Sequence, residues 1–170
     1  FPLVVKPTRG GSALGVSIVR QAVDLPPAMV SAFAYGETAM IQRFVEGTEV
    51  AVSVIDHEDG PRALPAVEIV PESGMYDYHA RYTAGTTEFF CPARFNDDVS
   101  TAVSETALTV HGALGLSDLS RSDVIVDTDG TVWFLEVNVA PGMTETSLMP
   151  QAIAQAGMNV GDVFAALIES

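Results

Sequence analysis

The stretch RSDVIVDTDGTVWFLEVN, Arg121 to Asn138, constrains the fold more than any other part of the chain. It reads as two strands rich in Val, Ile, Phe and Trp, joined by Asp129-Gly130, the dipeptide favoured where both central residues of a two-residue turn need positive φ. With those two at the tip, Thr128 pairs with Thr131, and counting back sets Asp123 opposite Glu136 and Arg121 opposite Asn138. Directly opposed side chains lie about 5 Å apart at Cβ, and like charges so placed repel. A sheet that keeps such a pair needs a cation beside it.

Around that hairpin, short strand patterns alternate with helical ones. LVVK (3 to 6) and VSIV (16 to 19) flank the loop PTRGGSALG, and Asp24 with Pro26 and Pro27 opens a helix through about Tyr35 that ends near Gly36. AMIQRF (39 to 44), a turn at Glu46-Gly47, EVAVSVIDH (49 to 57) and ALPAVEIV (63 to 70) read as an antiparallel meander. From Pro71 to Gly85 no period is evident, yet the stretch holds Tyr76, Tyr78 and Tyr82; loops of that length are usually functional or mobile. TEFFCPAR (87 to 94) is the next strand and 97 to 111 an amphipathic helix. After the hairpin, the loop VAPGMTET leads to helices over 147 to 156 and 159 to 169, split at Gly157. Runs of strands with helices grouped on one side give an α+β fold.

Composition narrows the partners. The chain of 170 residues is 48% apolar, enough to bury a core, and its 22 acidic against 8 basic residues leave a net charge of −14. That charge argues against nucleic acid and against an anionic membrane surface. No apolar run approaches the roughly 18 residues of a membrane span and no charged n-region with an h-region opens the sequence, so neither a membrane span nor a signal peptide is expected. Cys91 is the only cysteine, so no internal disulfide forms and a reducing compartment, the cytoplasm, is expected. The abrupt strand at Phe1 is expected of a piece of a longer protein.

Three places carry chemistry. Glu136 and Asn138 are two apart on one strand and share a face with Asp123 and Arg121 of its neighbour. Hard oxygen ligands beside a cation suit Mg²⁺, which leaves its other positions to water and phosphate; the plainer alternative is a solvated face where Arg121 bridges both acids. KPTRGGSALG (6 to 15) sets Lys6 at a strand end before three glycines, a loop that presents N–H groups to phosphate or is an ordinary flexible connection. In NVAPGMTETS (138 to 147), Pro141-Gly142 turns backbone N–H groups toward an oxyanion, and Ser147 as helix N-cap would receive a carboxylate; a plain strand-to-helix connection explains Ser147 equally. His57 and His111 read as surface residues, His79 belongs to the tyrosine stretch, and Cys91 reads as a small core residue rather than a nucleophile. No Ser/His/Asp triad is legible.

Taken in order, KPTRGGSALGVS, QRFVEGTEVAVSV, LPAVEIVP, YDYHARY, FFCPAR, the triplet RSD, LEVNVAPGMTETSLMPQ and AQAGM resemble the ATP-grasp superfamily. Within it they are most similar to the D-alanine–D-alanine ligases, over nearly the whole chain. The resemblance implies an ADP-forming ligase that joins two D-alanines through an acyl phosphate for peptidoglycan precursors; the alternatives are another ATP-grasp carboxylate–amine ligase and a non-catalytic nucleotide-binding module. Residues 1–48 would be the second half of the ATP-grasp central subdomain and 49–170 the C-terminal subdomain with the metal and substrate site. The N-terminal substrate domain and the leading part of the central domain would lie outside this chain, leaving the isolated piece inactive; a homodimer is implied for the full-length parent.

The resemblance also implies roles. Lys6 and the loop with Gly11 would hold ATP phosphates, and Ser12 would orient the first D-alanine. Gln42, Arg43 and Glu49 would lie along the nucleotide, Glu49 on the ribose. Arg81 would reach phosphate and Tyr82 would reach Ser12 from a mobile loop. Asp123, Glu136 and Asn138 would bind two Mg²⁺ or Mn²⁺ ions. Arg121 and the Gly142 N–H would stabilise the oxyanion, and Ser147 would take the carboxylate of the second D-alanine. Two positions depart from the family: Gln42 replaces a common acid near the adenine, and Val139-Ala140 replaces the usual Thr and the variable residue after it.

Overall fold

The strand-rich sequence resolves, in a computed structural model that describes residues 1–169, into two units. One consists of Phe1–Glu46 with Val70–Glu88, the other of Gly47–Ile69 with the chain from Phe89 onward.

In the first unit β1 (Leu3–Pro7) lies between β2 (Ser17–Val19) and β3 (Ala39–Arg43), antiparallel to both. Helix α1 (Leu25–Phe33) tolerates Pro in its first turn, where an N–H has no helical partner to lose, and lays Ala28 and Ala32 against Val5 and Val19. The register then sorts side chains by face. Val4 pairs with Gln42 and Lys6 with Met40, which puts Lys6 and Gln42 on the face away from α1. Leu3 pairs with Arg43, which puts Arg43 on the α1 face.

The expected meander forms only in part, through the antiparallel pairing of 47–55 with 67–71. AMIQR pairs with β1 rather than with β4 (Gly47–Ile55), and β4 instead lies between β6 (Val67–Pro71) and β8 (Leu119–Asp127). The physical reason is burial. Val50 to Ile55 are buried without interruption, the mark of a central strand with both faces covered, whereas Met40 and Ile41 of β3 are exposed. The six-stranded sheet runs β7-β6-β4-β8-β9, with β5 (Arg62–Ala63) also on β4, β7 at Thr87–Phe90 and β9 at Val132–Asn138. The strand expected over 87 to 94 therefore stops at Phe90.

Helix α3 (Asp97–Ala113) follows α2 (Tyr78–Tyr82) and is capped by the Asn96 side chain, which accepts from Val99 N–H at 2.9 Å. Val103 and Ala107 of α3 pack on Val50, Val52 and Val54 of β4 and on Val124 and Val126 of β8. Ala51, Ser53 and Ile55 point the other way and are buried too, and helix α4 (Leu148–Gln155) packs against β4, so the one-sided grouping of helices does not describe this strand. Helix α5 (Val160–Glu169) packs on α4.

His111 is the clearest correction. Expected at the surface, it is buried on α3, its Nδ1 2.9 Å from the hydroxyl of Ser120 and its Nε2 3.4 Å from Asp56 Oδ1, close but not aligned for a hydrogen bond. Serine, histidine and aspartate do meet here, yet Ser120 is fully buried and no substrate reaches it. Partners 9 residues and more away in sequence explain why spacing did not reveal them.

Candidate functional site

The hairpin reaches its expected pairing by an unexpected route. Val126 pairs with Val132, and Asp127 N–H donates to Thr131 C=O, so the loop holds three residues, Thr128, Asp129 and Gly130, rather than two. Gly130 takes φ +82°, the left-handed residue such loops require. The Asp127 carboxylate fixes the loop: Oδ1 accepts from the Asp129 and Thr131 amides, and Oδ2 accepts from Trp133 Nε1 at 2.8 Å. Val124 pairs with Phe134 but Asp123 with Glu136, so Leu135 is an extra residue that restores the register. Asp123 and Glu136 face each other, as do Arg121 and Asn138.

Cross-strand pairing lays out one sheet face in rows. Glu49 of β4 stands beside Ile125, which stands beside Trp133; Ala51 stands beside Asp123 and then Glu136; Ser53 stands beside Arg121 and then Asn138. Arg121 holds Asp123 with Nε to Oδ1 at 2.7 Å and Nη2 to Oδ2 at 2.9 Å, and both side chains are largely buried. The repulsion posed by the sequence is thus met first by the guanidinium. Glu136 remains exposed, and the amide oxygen of Asn138 accepts from Ala140 N–H at 2.9 Å while keeping a second lone pair. Among the described residues no three His, Cys, Asp or Glu side chains converge as a metal site. Two carboxylates with an amide oxygen, one carboxylate already neutralised in part, nevertheless suit Mg²⁺, which takes few protein ligands.

Beyond β9, Ser147 occupies the N-cap position of α4 but makes no side-chain cap bond, contrary to expectation. Its hydroxyl turns back to accept from Thr144 N–H at 3.2 Å and lies 2.9 Å from Thr144 Oγ1. Gly142 sits against it, since a Cβ there would fall 2.8 Å from Ser147 Oγ. Thr144 is the residue that motif reading passed over. Its three-residue spacing to Ser147, typical of hydroxyl-to-backbone turns, was the available signal.

In the first unit, Lys6 leads into the glycine loop, where Ser12 and Ala13 adopt φ +55° and +57°. Non-glycine residues seldom accept that conformation, which costs of order 1–3 kcal/mol and accumulates at functional loops. Gly11 precedes them and its C=O accepts from Leu14 N–H at 3.2 Å. The tyrosine stretch is not irregular throughout: it contains α2 (Tyr78–Tyr82), capped by Asp77 Oδ1 accepting from Ala80 N–H at 2.9 Å. Tyr82 Oη lies 2.8 Å from Ser12 Oγ. Arg43, on the opposite sheet face from Lys6 and Gln42, is separated from them at the side-chain level. Burial pushes the Cys91 thiol up, away from nucleophilic use.

The family model described as "D-ala D-ala ligase C-terminus" matches residues 1–169. The D-alanine–D-alanine ligase of Anaeromyxobacter sp. (strain K) is 45% identical over 163 residues, 96% of this chain and 52% of that protein. The enzyme of the same name from Methylacidiphilum infernorum (isolate V4) is 39% identical over 168 residues, 99% of this chain and 54% of that one. Among solved structures, the VanG D-Ala:D-Ser ligase from Enterococcus faecalis superposes with a TM-score of 0.88 at 31% identity, covering 99% of this chain and 49% of that one. The D-alanine–D-alanine ligase from Bacillus anthracis complexed with ATP superposes with a TM-score of 0.81 at 28% identity, covering 99% and 52%. The chain spans about half the length of the curated relatives it matches.

Proposed function

This chain belongs to the D-ala D-ala ligase C-terminal family, and from that premise we propose that it carries the nucleotide, metal and second-substrate half of an ATP-dependent ligase joining two D-alanines. The observation that carries the proposal is the two adjacent cross-strand pairs, Asp123 with Glu136 and Arg121 with Asn138, on one sheet face.

In the reaction so assigned, one D-alanine carboxylate takes the γ-phosphoryl group of ATP, releasing ADP. The amine of the second attacks the resulting acyl phosphate, and phosphate leaves as the dipeptide forms. Asp123, Glu136 and Asn138 are the residues that would hold two Mg²⁺ or Mn²⁺ ions, which offset the charge of the phosphates when bound. The chain's own groups supply the rest. Lys6 gives a point charge at the mouth of the glycine loop. Glu49, one row along β4 from the acids, accepts from sugar hydroxyls. Arg121, held rigid by Asp123, and the Gly142 N–H donate to the oxyanion of the tetrahedral intermediate. The Thr144 amide donates to Ser147 Oγ and the Thr144 hydroxyl lies 2.9 Å from it, which together hold the Ser147 hydroxyl in place for the incoming carboxylate. Ser12 and Tyr82 brace the glycine loop over the first D-alanine.

Among the described residues no helix is long and apolar enough to cross a membrane. A cytoplasmic place, where ATP is available, and a homodimer of the full-length protein belong to the same proposal. A second reading rests on the similarity to the D-Ala:D-Ser ligase, in which D-serine replaces the second D-alanine. ADP release by the full-length protein, measured with D-alanine alone, D-alanine plus D-serine, and L-alanine, separates them. D-alanine alone is expected to suffice; turnover only with D-serine selects the second reading, and no D-amino-acid dependence sinks both.

A further inference from the structure

Residues 70–88 contain one buried aromatic ring in a mostly exposed segment, that of Tyr76. The Arg81 guanidinium lies over this ring, with Cζ 4.1 Å from its centroid, and Arg81 Nε donates to the Tyr76 carbonyl at 3.2 Å. The helical turn between them is fixed independently. Asp77 caps it, Thr87 Oγ1 donates to Ala80 C=O at 2.8 Å, and Ala80 is buried. Tyr82, the next residue, is held elsewhere, with its ring 4.7 Å from that of Tyr78 and its hydroxyl on Ser12. One turn of helix thus carries two polar side chains, each seated on a tyrosine that precedes it by four or five residues.

We propose that Tyr76 is a positioning residue for Arg81: its ring seats the guanidinium so that the charge is already aimed when the triphosphate arrives. This rests on the reading of Arg81 as a phosphate ligand. An arginine side chain has many rotamers, and restricting them before binding removes an ordering cost from the bound state. The π-face favours the cation over a neutral group, so an apolar non-aromatic replacement removes the attraction while filling much of the space. The guanidinium meets the ring face and the backbone carbonyl of Tyr76.

The test uses the full-length protein with Tyr76→Phe, Tyr76→Leu, Arg81→Met and the double variant Tyr76→Leu/Arg81→Met. Tyr76→Leu is expected to raise KM for ATP about threefold to tenfold with a smaller change in kcat, and Tyr76→Phe to match wild type. In the Arg81→Met background Tyr76→Leu should add nothing. Additive effects, an unchanged KM for Tyr76→Leu, or an equal defect in Tyr76→Phe would overturn the proposal. A second measurement needs no turnover: trypsin cleavage after Arg81, followed by mass spectrometry, should quicken in Tyr76→Leu and not in Tyr76→Phe. Equal cleavage in all three proteins refutes the seat itself. An intact seat with no ATP dependence on Arg81 overturns instead the assignment of Arg81 to phosphate, and with it Tyr76 as a positioning residue.

Discussion

Arg121 grips Asp123 with the Nε–Nη2 edge of its guanidinium from two residues away on the same strand, Nε to Oδ1 at 2.7 Å and Nη2 to Oδ2 at 2.9 Å. The pair is largely buried, so each partner depends on the other for the charge it no longer shares with water. Glu136, directly across the strands, is exposed and has no such dependence.

That asymmetry separates two neighbouring acids by experiment. Asp123→Asn removes a bidentate counter-charge from a largely buried guanidinium and should lose about 3 kcal/mol of stability, read as a lower urea midpoint. Glu136→Gln should change stability by no more than about 0.5 kcal/mol. Calorimetric titration of the full-length Glu136→Gln protein should nonetheless show nucleotide affinity that no longer responds to Mg²⁺. Retained metal dependence would remove Glu136 from the ligand set.

Glu68 supplies a pH dependence. Its carboxylate is buried and takes three hydrogen bonds from Arg94, two from the guanidinium at 2.7 and 2.9 Å and one from the amide at 3.0 Å. The Arg94 side-chain bonds hold its carboxyl below the usual glutamate range, overcoming the opposite push of burial. A carboxyl lowered in the folded state stabilises the protein above its unfolded value, about 4.3, and that contribution disappears as pH falls through the folded value. Wild type should therefore exceed Glu68→Gln in stability by about 1–3 kcal/mol at neutral pH, with the gap closing in acid. A gap that widens below pH of about 4 contradicts the assigned sign.

Gly47 is required by close approach. A Cβ there would lie 2.2 Å from the Val126 carbonyl oxygen and 2.8 Å from Ile125, where β4 runs beside β8. Backbone cannot yield as a flexible side chain does, so Gly47→Ala should cost about 3 kcal/mol or more, seen as a lower melting temperature. Unchanged melting would mean that the β4–β8 register relaxes at its Gly47 end.

How far the sequence could be read depended on the range of the interactions. The Asp123–Glu136 pairing was legible because a hairpin is local, yet the two-residue turn was wrong. Asp127 closes a three-residue loop through its own side chain, and Leu135 bulges to bring the register back. Of the neighbours of β4, β6 was legible and β8 was not, since turn residues at Glu46-Gly47 say only that the chain reverses, and β8 lies some 70 residues on. His111 shows the same limit, because Ser120 and Asp56 reach it only through tertiary packing. The faces of Lys6 and Arg43 followed from a register that no pattern within β1 or β3 alone specifies.

Ser147 and Gly142 provide the last test, because the geometry makes their effects differ. Ser147→Ala removes the hydroxyl that Thr144 orients and leaves the α4 backbone untouched, since that hydroxyl caps nothing in the helix. Its stability should stay within about 0.5 kcal/mol of wild type. KM for the second amino acid should rise about tenfold or more, the scale of one hydrogen bond to a charged group, while KM for ATP holds. Gly142→Ala instead places a methyl group 2.8 Å from Ser147 Oγ, so the hydroxyl must swing away from Thr144 as the loop shifts. Two groups are then disturbed together, the oxyanion-directed N–H and the carboxylate-directed hydroxyl, and kcat should fall along with the rise in KM. Steady-state kinetics of the full-length variants distinguishes the two patterns. If Ser147→Ala lowers kcat alone and spares KM for the second amino acid, Ser147 is not the carboxylate ligand and the 142–147 turn serves the oxyanion only.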